Sequence, residues 1–316
     1  MATTNVSRGV KQKTFEQQLC WAGITAGAEI HGQLTFLSIL TAFLSITAVL
    51  GNILILIALR KECFVHPPSR LLLRSLAATD LCFGIIAEPL SIAFWMSVVY
   101  ERRVICPYVT VASFLTHIIL CKVSVLTLTA ISVDRLLALL LGLRYRQIVT
   151  LKRTHLVVVG FWVASAVFSA TYFLNFLIIL WSCSIAVLVC LATSTMSYTK
   201  ILVTLRRRQA QLQDYAQQQP NQTARPLNIA RYKKAVTTAI LLQLTMVTCY
   251  LPHGIVVALL TTTELSLSVF LASQFTVVLA CLSSSLNPIL CCWKIEEVRQ
   301  AVKEAMGQVL CCSSSS

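Results

Sequence analysis

One carboxylate stands inside an otherwise apolar stretch. Asp80 closes Leu76-Ala77-Ala78-Thr79-Asp80, within the apolar residues 71–99. An ionisable group in such a setting is costly and ordinarily functional. Other polar residues interrupt their stretches in the same way. Asn52 follows Gly51, Ser124 stands alone, and Ser283, Ser284 and Ser285 come one turn before Asn287-Pro288. Gathered around one carboxylate, these oxygens have the chemistry that a small hard cation favours. Taken singly, each also fits a hydrogen bond between membrane helices, a reading that accounts poorly for the carboxylate. Asp134-Arg135 places an acid beside a base at the end of another apolar stretch. Fully solvated, such a pair contributes little. Pro252 predicts a kink, because proline removes a helix hydrogen bond.

The elements carrying these residues cross a membrane. Of 316 residues, 57% are hydrophobic and 12% charged, and the mean hydropathy is +0.77. Soluble domains carry roughly a quarter charged residues, so soluble enzymes, nucleic-acid-binding domains and disordered tails are excluded. An apolar helix needs about 20 residues to span a bilayer. Seven stretches qualify, at residues 34–59, 71–99, 106–133, 155–174, 176–205, 235–261 and 267–292. The expected fold is an all-α seven-transmembrane helix bundle. Residues 1–33 form its outer segment, 34–293 the membrane domain, and 294–316 an inner amphipathic helix and tail. The outer segment lacks the apolar core of a cleavable signal, which leaves the first span as an uncleaved one.

Orientation follows from the basic residues. Twenty of the 26 Lys and Arg fall in the connections after the first, third and fifth spans and in the tail. Basic loops stay on the cytoplasmic side, which puts the amino terminus outside. The sequon at Asn5 fits that orientation, whereas the one at Asn221 falls inside. Almost no outer loop separates the fourth and fifth spans. The Gln-rich inner residues 209–230 read as a flexible linker. Residues Lys294 to Met306 have the pattern of an interfacial amphipathic helix. Cys311 and Cys312 beyond it are candidates for palmitoylation. Most of the 13 cysteines lie within apolar stretches and behave as small apolar residues. No zinc-type spacing of Cys and His occurs.

In order and spacing these features resemble the rhodopsin-like (class A) G-protein-coupled receptors. The resemblance covers residues 34–306. Gly51-Asn52 is similar to the first-span G-N motif, and Leu76-Ala77-Ala78-Thr79-Asp80 to L-A-x-x-D. Asp134-Arg135-Leu136 resembles D-R-Y with Leu in the third place. Trp162 and Tyr198 match the fourth-span Trp and fifth-span Tyr. Cys249-Tyr250-Leu251-Pro252 resembles C-W-x-P with Tyr for Trp. Asn287-Pro288-Ile289-Leu290-Cys291 resembles N-P-x-x-Y with Cys for the last Tyr. The near-absent loop before the fifth span, and Cys190 in place of the family's proline, look most like the melanocortin, adenosine, cannabinoid and lysophospholipid branch.

Residue roles follow from the resemblance. Asp80, Ser124, Ser284 and Asn287 would line a pocket for an allosteric sodium ion, with no cofactor required. Asp134, Arg135, Tyr198, Tyr250, Pro252, Asn287 and Pro288 would form the switch that admits a heterotrimeric G protein. Tyr198 would support Arg135 in the active state, and Pro252 would be the hinge for outward movement of the sixth helix. Cys20–Cys106 would replace the usual outer disulfide, although two free thiols fit the residues equally. The departures at Leu136, Tyr250 and Cys291, and the absence of an acid near Arg231, Lys233 and Lys234, imply raised basal activity.

Outer-half residues expected to face the bundle, and so a ligand, are Glu88, Phe114, His117, Cys121, His253, Gln274 and Val277. His117 holds the place of the amine receptors' Asp, and Cys281 that of the opsins' lysine. Both a monoamine and retinal are thereby disfavoured. Lys122, one residue past Cys121, is expected to point between helices. There it snorkels, or serves as a counter-charge for an acidic ligand or for Glu88. His117 and His253 are pocket hydrogen-bonders by default, with pH sensing or metal binding alongside Glu88 as alternatives.

The sequence thus points to a plasma-membrane receptor coupling an extracellular small molecule, lipid or peptide to a G protein, embedded in membrane lipids and without a nucleic-acid partner. A constitutively active or orphan receptor-like protein is the alternative. A transporter is a further one, against which stands the lack of inverted repeats. An enzyme is not expected: no nucleophile-elbow motif is present.

Overall fold

The structure is a computed structural model, and it describes residues 19–21, 23, 24, 27–60, 66–218, 241, 244, 245, 247–259, 266–294 and 299. Its helices are α1 (Ala28–Ala58), α2 (Pro67–Cys82), α3 (Glu88–Val99), α4 (Cys106–Leu141), α5 (Tyr145–Ile148), α6 (Leu151–Ala170), α7 (Phe176–Gln218), α8 (Val247–Leu259) and α9 (Leu267–Lys294). A π-helical turn, Phe83–Ala87, joins α2 to α3 as one continuous second span. Among the described residues six spans are long and apolar enough to cross a membrane, and α8 is a shorter apolar helix. The fold is an all-α membrane bundle. The third span, α4, packs against α2, α3, α6 and α7, while α1 packs against α2, α3 and α9.

Side chains are sorted as a bilayer requires. Large apolar residues face outward, among them Phe36, Phe43 and Ile46 of α1, Leu156 and Val163 of α6, and Leu188 of α7. The interior buries apolar residues such as Trp95, Phe83, Phe270 and Leu34 together with small polar groups such as Ser38, Asn52, Thr79, Ser124, Thr127 and Ser284. Lipid is as apolar as leucine, so burying leucine gains little there, while small and polar residues allow close helix contact. Most of the serines and threonines are satisfied within their own helix. Thr79 donates to the Ser75 carbonyl at 2.9 Å and Thr127 to that of Val123 at 2.7 Å.

Two prolines shape the spans, and the first span compensates both. Glu88 donates its amide to the Phe83 carbonyl, five residues back. Pro89 would continue that pattern onto Gly84 but has no N–H. The Ser45 hydroxyl donates to the Gly84 carbonyl instead, at 2.7 Å. In α9, Pro288 leaves the Ser284 carbonyl without its helical donor, and Asn52 Nδ2 reaches it at 3.2 Å. Gly51 permits that approach: a Cβ there would lie 2.9 Å from Pro288 Cβ. Within a membrane such freed carbonyls must be satisfied by nearby groups, and here side chains of the first span do so.

Several boundaries differ from the sequence reading. α1 begins at Ala28, within the segment assigned to the outer terminus. α7 runs on to Gln218, so residues 209–218 are helix rather than flexible linker. They contain good helix formers and no Gly or Pro before Pro220. The amphipathic helix expected over residues 294–306, the sequon at Asn5, Cys311 and Cys312 lie outside the described residues, apart from Lys294 and Arg299.

Candidate functional site

Three groups of residues lie along the length of the bundle. The central one surrounds Asp80, which is fully buried. Asn287 Nδ2 donates to Asp80 Oδ2 at 2.8 Å, joining the second and seventh spans. Ser284 lies beside the same carboxylate, and the Tyr250 hydroxyl lies beside Ser124 and Ser283. Asp80 Oδ1, Asn287 Oδ1, the Tyr250 hydroxyl and the hydroxyls of Ser124, Ser283 and Ser284 are buried without hydrogen-bond partners. Each such atom costs about 1–3 kcal/mol when left unsatisfied. Oxygens of this type around one carboxylate suit a small monovalent or hard cation. The four residues expected to line a cation pocket are therefore brought together. Tyr250 joins them, which the spacing alone did not indicate.

The second group is the Asp134–Arg135 end. Arg135 Nη2 lies 3.1 Å from Asp134 Oδ2. That carboxylate holds two further partners: the Ser69 hydroxyl donates at 2.7 Å and the Tyr145 hydroxyl at 2.5 Å. Asp134 is buried while the Arg135 side chain is 24% exposed. The pair is thus not the solvated one considered from sequence, since three donors converge on a desolvated acid. Tyr145 stands on α5, a single helical turn in the connection after the third span, positioned because α4 stops at Gly142, whose φ of +53° glycine adopts readily. The His66 ring packs on Tyr145 at 5.1 Å. Partial burial, then the Arg146 charge, holds the His66 imidazole below its ordinary value. Ser69 and Tyr145 escaped the sequence reading, because nothing in residue order reveals which loop side chain folds onto Asp134. Tyr198 packs with Leu139 and Ile201, and its hydroxyl lies 2.8 Å from Ser132.

The third group lines a cavity of about 700 Å³ at the other end, within the size range of small-molecule sites. Phe114, His117, Cys121, His253, Gln274 and Val277 all line it, and Tyr250 forms part of its floor. Trp95 donates to Gln274 Oε1 at 2.9 Å, and His253 Nδ1 lies 3.1 Å from the Thr276 hydroxyl. His117 Nδ1 meets the Ser113 carbonyl at 2.9 Å, while its Nε2 lies 3.4 Å from Ser91. Both histidines are hydrogen-bonded, and among the described residues no group of three His, Cys, Asp or Glu could hold a metal.

Two residues depart from expectation. Glu88 does not line the cavity. It is fully buried, with both oxygens unpartnered, on the side of Asp80 and Cys281. The π-turn just before it inserts one extra residue and so rotates the remainder of the span by about 100°. Lys122 does point between helices, toward the fourth and fifth spans, but contrary to expectation it lines the cavity there. Its Nζ lies 3.4 Å from the Ser182 hydroxyl and 5.8 Å from the centre of the Phe168 ring.

At the mouth, Cys20 is bonded to Cys106, so these two cysteines form a disulfide rather than two free thiols. Cys20 and Ile24 are buried with Trp95, Val98 and Phe270, and Gly23 packs directly on Val98.

Comparison with known proteins places this architecture. The family model described as "7 transmembrane receptor (rhodopsin family)" matches residues 51–178 and 170–290. Among curated relatives, human (Homo sapiens) olfactory receptor 4D1 is 31% identical over 137 residues, 42% of this chain and 42% of the relative. G-protein coupled receptor 161 of Danio rerio is 30% identical over 151 residues, 46% of this chain and 27% of the relative. Adenosine receptor A2b of Bos taurus is 31% identical over 139 residues, 44% and 40% of the two chains. The chain thus spans less than half the length of these relatives. The family match extends from the Gly51-Asn52 contact to Asn287-Pro288 and takes in both polar groups and the cavity lining apart from Leu19. On that ground the chain belongs to the rhodopsin family of seven-transmembrane receptors and is a receptor rather than an enzyme.

Proposed function

We propose that this receptor sits in the plasma membrane with its amino terminus outside and couples a ligand in the Gln274–His117 cavity to a heterotrimeric G protein. The observation that carries the reading is the restrained Asp134–Arg135 pair at the end opposite the cavity, held by Ser69 and Tyr145. The Cys20–Cys106 bond supports the orientation, since disulfides persist in oxidising surroundings. So does the excess of Lys and Arg at the Arg135 end.

The mechanism is a shift of population. A ligand favours whichever arrangement of the bundle it binds better. Tyr250 belongs both to the cavity floor and to the polar centre, so displacement at the cavity moves its hydroxyl against Ser124 and Ser283. Pro252, two residues on, provides the flexible point at which the inner half of the sixth span swings outward. Release of Arg135 from Asp134 then exposes it to the G protein. By reciprocity the bound G protein tightens the ligand.

Asp80, Ser124, Ser284 and Asn287 fit a sodium ion, because their unpartnered oxygens lie together in the buried centre of the bundle. Such an ion would neutralise Asp80 and favour the resting arrangement. Asn287 keeps Asp80 Oδ2 oriented, leaving Oδ1 for that role.

The test is ligand-free signalling in cells, read with dissociation sensors for every Gα class and with cyclic AMP. Wild type and Arg135→Ala are compared at matched surface expression. Wild type should give a basal signal that Arg135→Ala removes. Equal readings in all classes would count against G-protein coupling.

A further inference from the structure

We infer that the ligand is a single-chain amphiphile with an anionic head, entering from the bilayer between the fourth and fifth spans, with Lys122 as the head-group partner. The inference rests on the receptor reading and names its ligand class. Three observations carry it. First, the cavity is walled mainly by apolar side chains. Among the described residues Lys122 is its one fixed positive charge, and no carboxylate lines it. Lys122 is 9% exposed, and it lies against the Ser182 hydroxyl at 3.4 Å, the Cys183 thiol and the Phe168 ring. Glu88, the acid expected beside it, faces elsewhere. A buried ammonium without a counter-ion is strongly disfavoured, and an anionic head would remove that cost.

Second, described residues of the amino-terminal segment cover the mouth toward water. The amino-terminal residues Cys20 and Ile24 are buried in the mouth, tied down by the Cys106 bond, and Leu19 lines the cavity from above. Third, the wall toward lipid is a single side chain thick. Phe168, Ile185 and Val189 line the cavity, yet are 55%, 56% and 58% exposed on the outer surface. One set of side chains therefore belongs to both the cavity wall and the lipid face. The residues between the two spans are small: Ala164, Ser165, Ser182, Cys183 and Ala186. An alkyl chain can pass such a gap, while a hydrated peptide cannot cross lipid to reach it. The head stops at Lys122, and the chain lies along the apolar wall toward Leu126 and Val125.

The experiment measures the unfolding temperature of the purified full-length receptor with sodium oleate, oleoyl-lysophosphatidate, mono-oleoylglycerol or hexanoate. Oleate or the lysophosphatidate should raise it by several degrees, well beyond the neutral glyceride. A shift with the carboxylate alone or with the phosphate alone assigns the head. Lys122→Met should lose the shift and Lys122→Arg should keep it. For the route, association of dibrominated oleate is tracked by tryptophan quenching in nanodiscs. Ala164→Phe/Ala186→Phe should slow it several-fold. No shift with either anionic lipid, an equal shift in Lys122→Met, or an equal shift with hexanoate would overturn the ligand class. An unchanged association rate would overturn the lateral route. Failure here would leave the Arg135 test standing, since that test reads G-protein coupling without ligand.

Discussion

Asp134 illustrates how a residue's surroundings set its value. A surface ion pair is worth roughly 0–1 kcal/mol, but this acid is buried and accepts from Ser69, Tyr145 and Arg135. A hydrogen bond to a charged group contributes about 1.5–3 kcal/mol. Tyr145→Phe should therefore free Arg135 more often and raise ligand-free nucleotide exchange on the G protein about tenfold, the equivalent of about 1.4 kcal/mol. An exchange rate equal to wild type would show that Tyr145 does not restrain the pair. Asp80 offers a second residue-scale test. Asp80→Asn removes the charge while leaving an oxygen for Asn287. Wild type should melt at a higher temperature in sodium than in choline at equal ionic strength, and Asp80→Asn should melt equally in both. A sodium effect that persists in the variant would place the ion elsewhere.

Helices in this bundle are repaired by their neighbours. Pro89 deprives Gly84 of a donor and Ser45 supplies one across the helix contact. Ser45→Ala should cost about 1–2 kcal/mol, the usual penalty for a stranded buried acceptor. Restoring the amide with Pro89→Ala should abolish most of that cost, because the helix can then satisfy Gly84 itself. A double-mutant cycle read by thermal unfolding tests this, and strict additivity would refute the pairing. The π-turn has a functional consequence too. It carries Glu88 out of the cavity and into the core. Periodicity reasoning assumes 3.6 residues per turn throughout, so it misplaces every position beyond an inserted residue.

At the scale of the whole molecule, described residues of the amino-terminal segment, Cys20 and Ile24, are packed into the bundle at the cavity end. The Cys20–Cys106 bond links residues 86 apart in sequence. Disulfides closing long loops typically contribute about 2–4 kcal/mol. Reductant should therefore lower the unfolding temperature of wild type, while Cys20→Ser/Cys106→Ser should be less stable from the start and indifferent to reductant. Equal stability of variant and wild type would mean the segment is held by Ile24 and its apolar neighbours alone. The outward-facing apolar surface suits lipid, and inside it the buried small polar groups lie beside an apolar cluster of Leu72, Leu76, Val125, Leu128, Ile131 and Tyr250.

Hydrophobic length, basic-residue bias and the Asp80, Asp134-Arg135 and Asn287-Pro288 motifs determine the helical membrane fold and the central polar group from residue order alone. They can do so because each depends on local composition or on positions fixed within one helix. The partners of Asp134, the rotation of Glu88, the placement of Lys122 in the cavity and the Cys20 bond were decided only in three dimensions. Each of these requires a contact between segments far apart in sequence or a break in helical period, and neither leaves a mark in the spacing of residues along the chain.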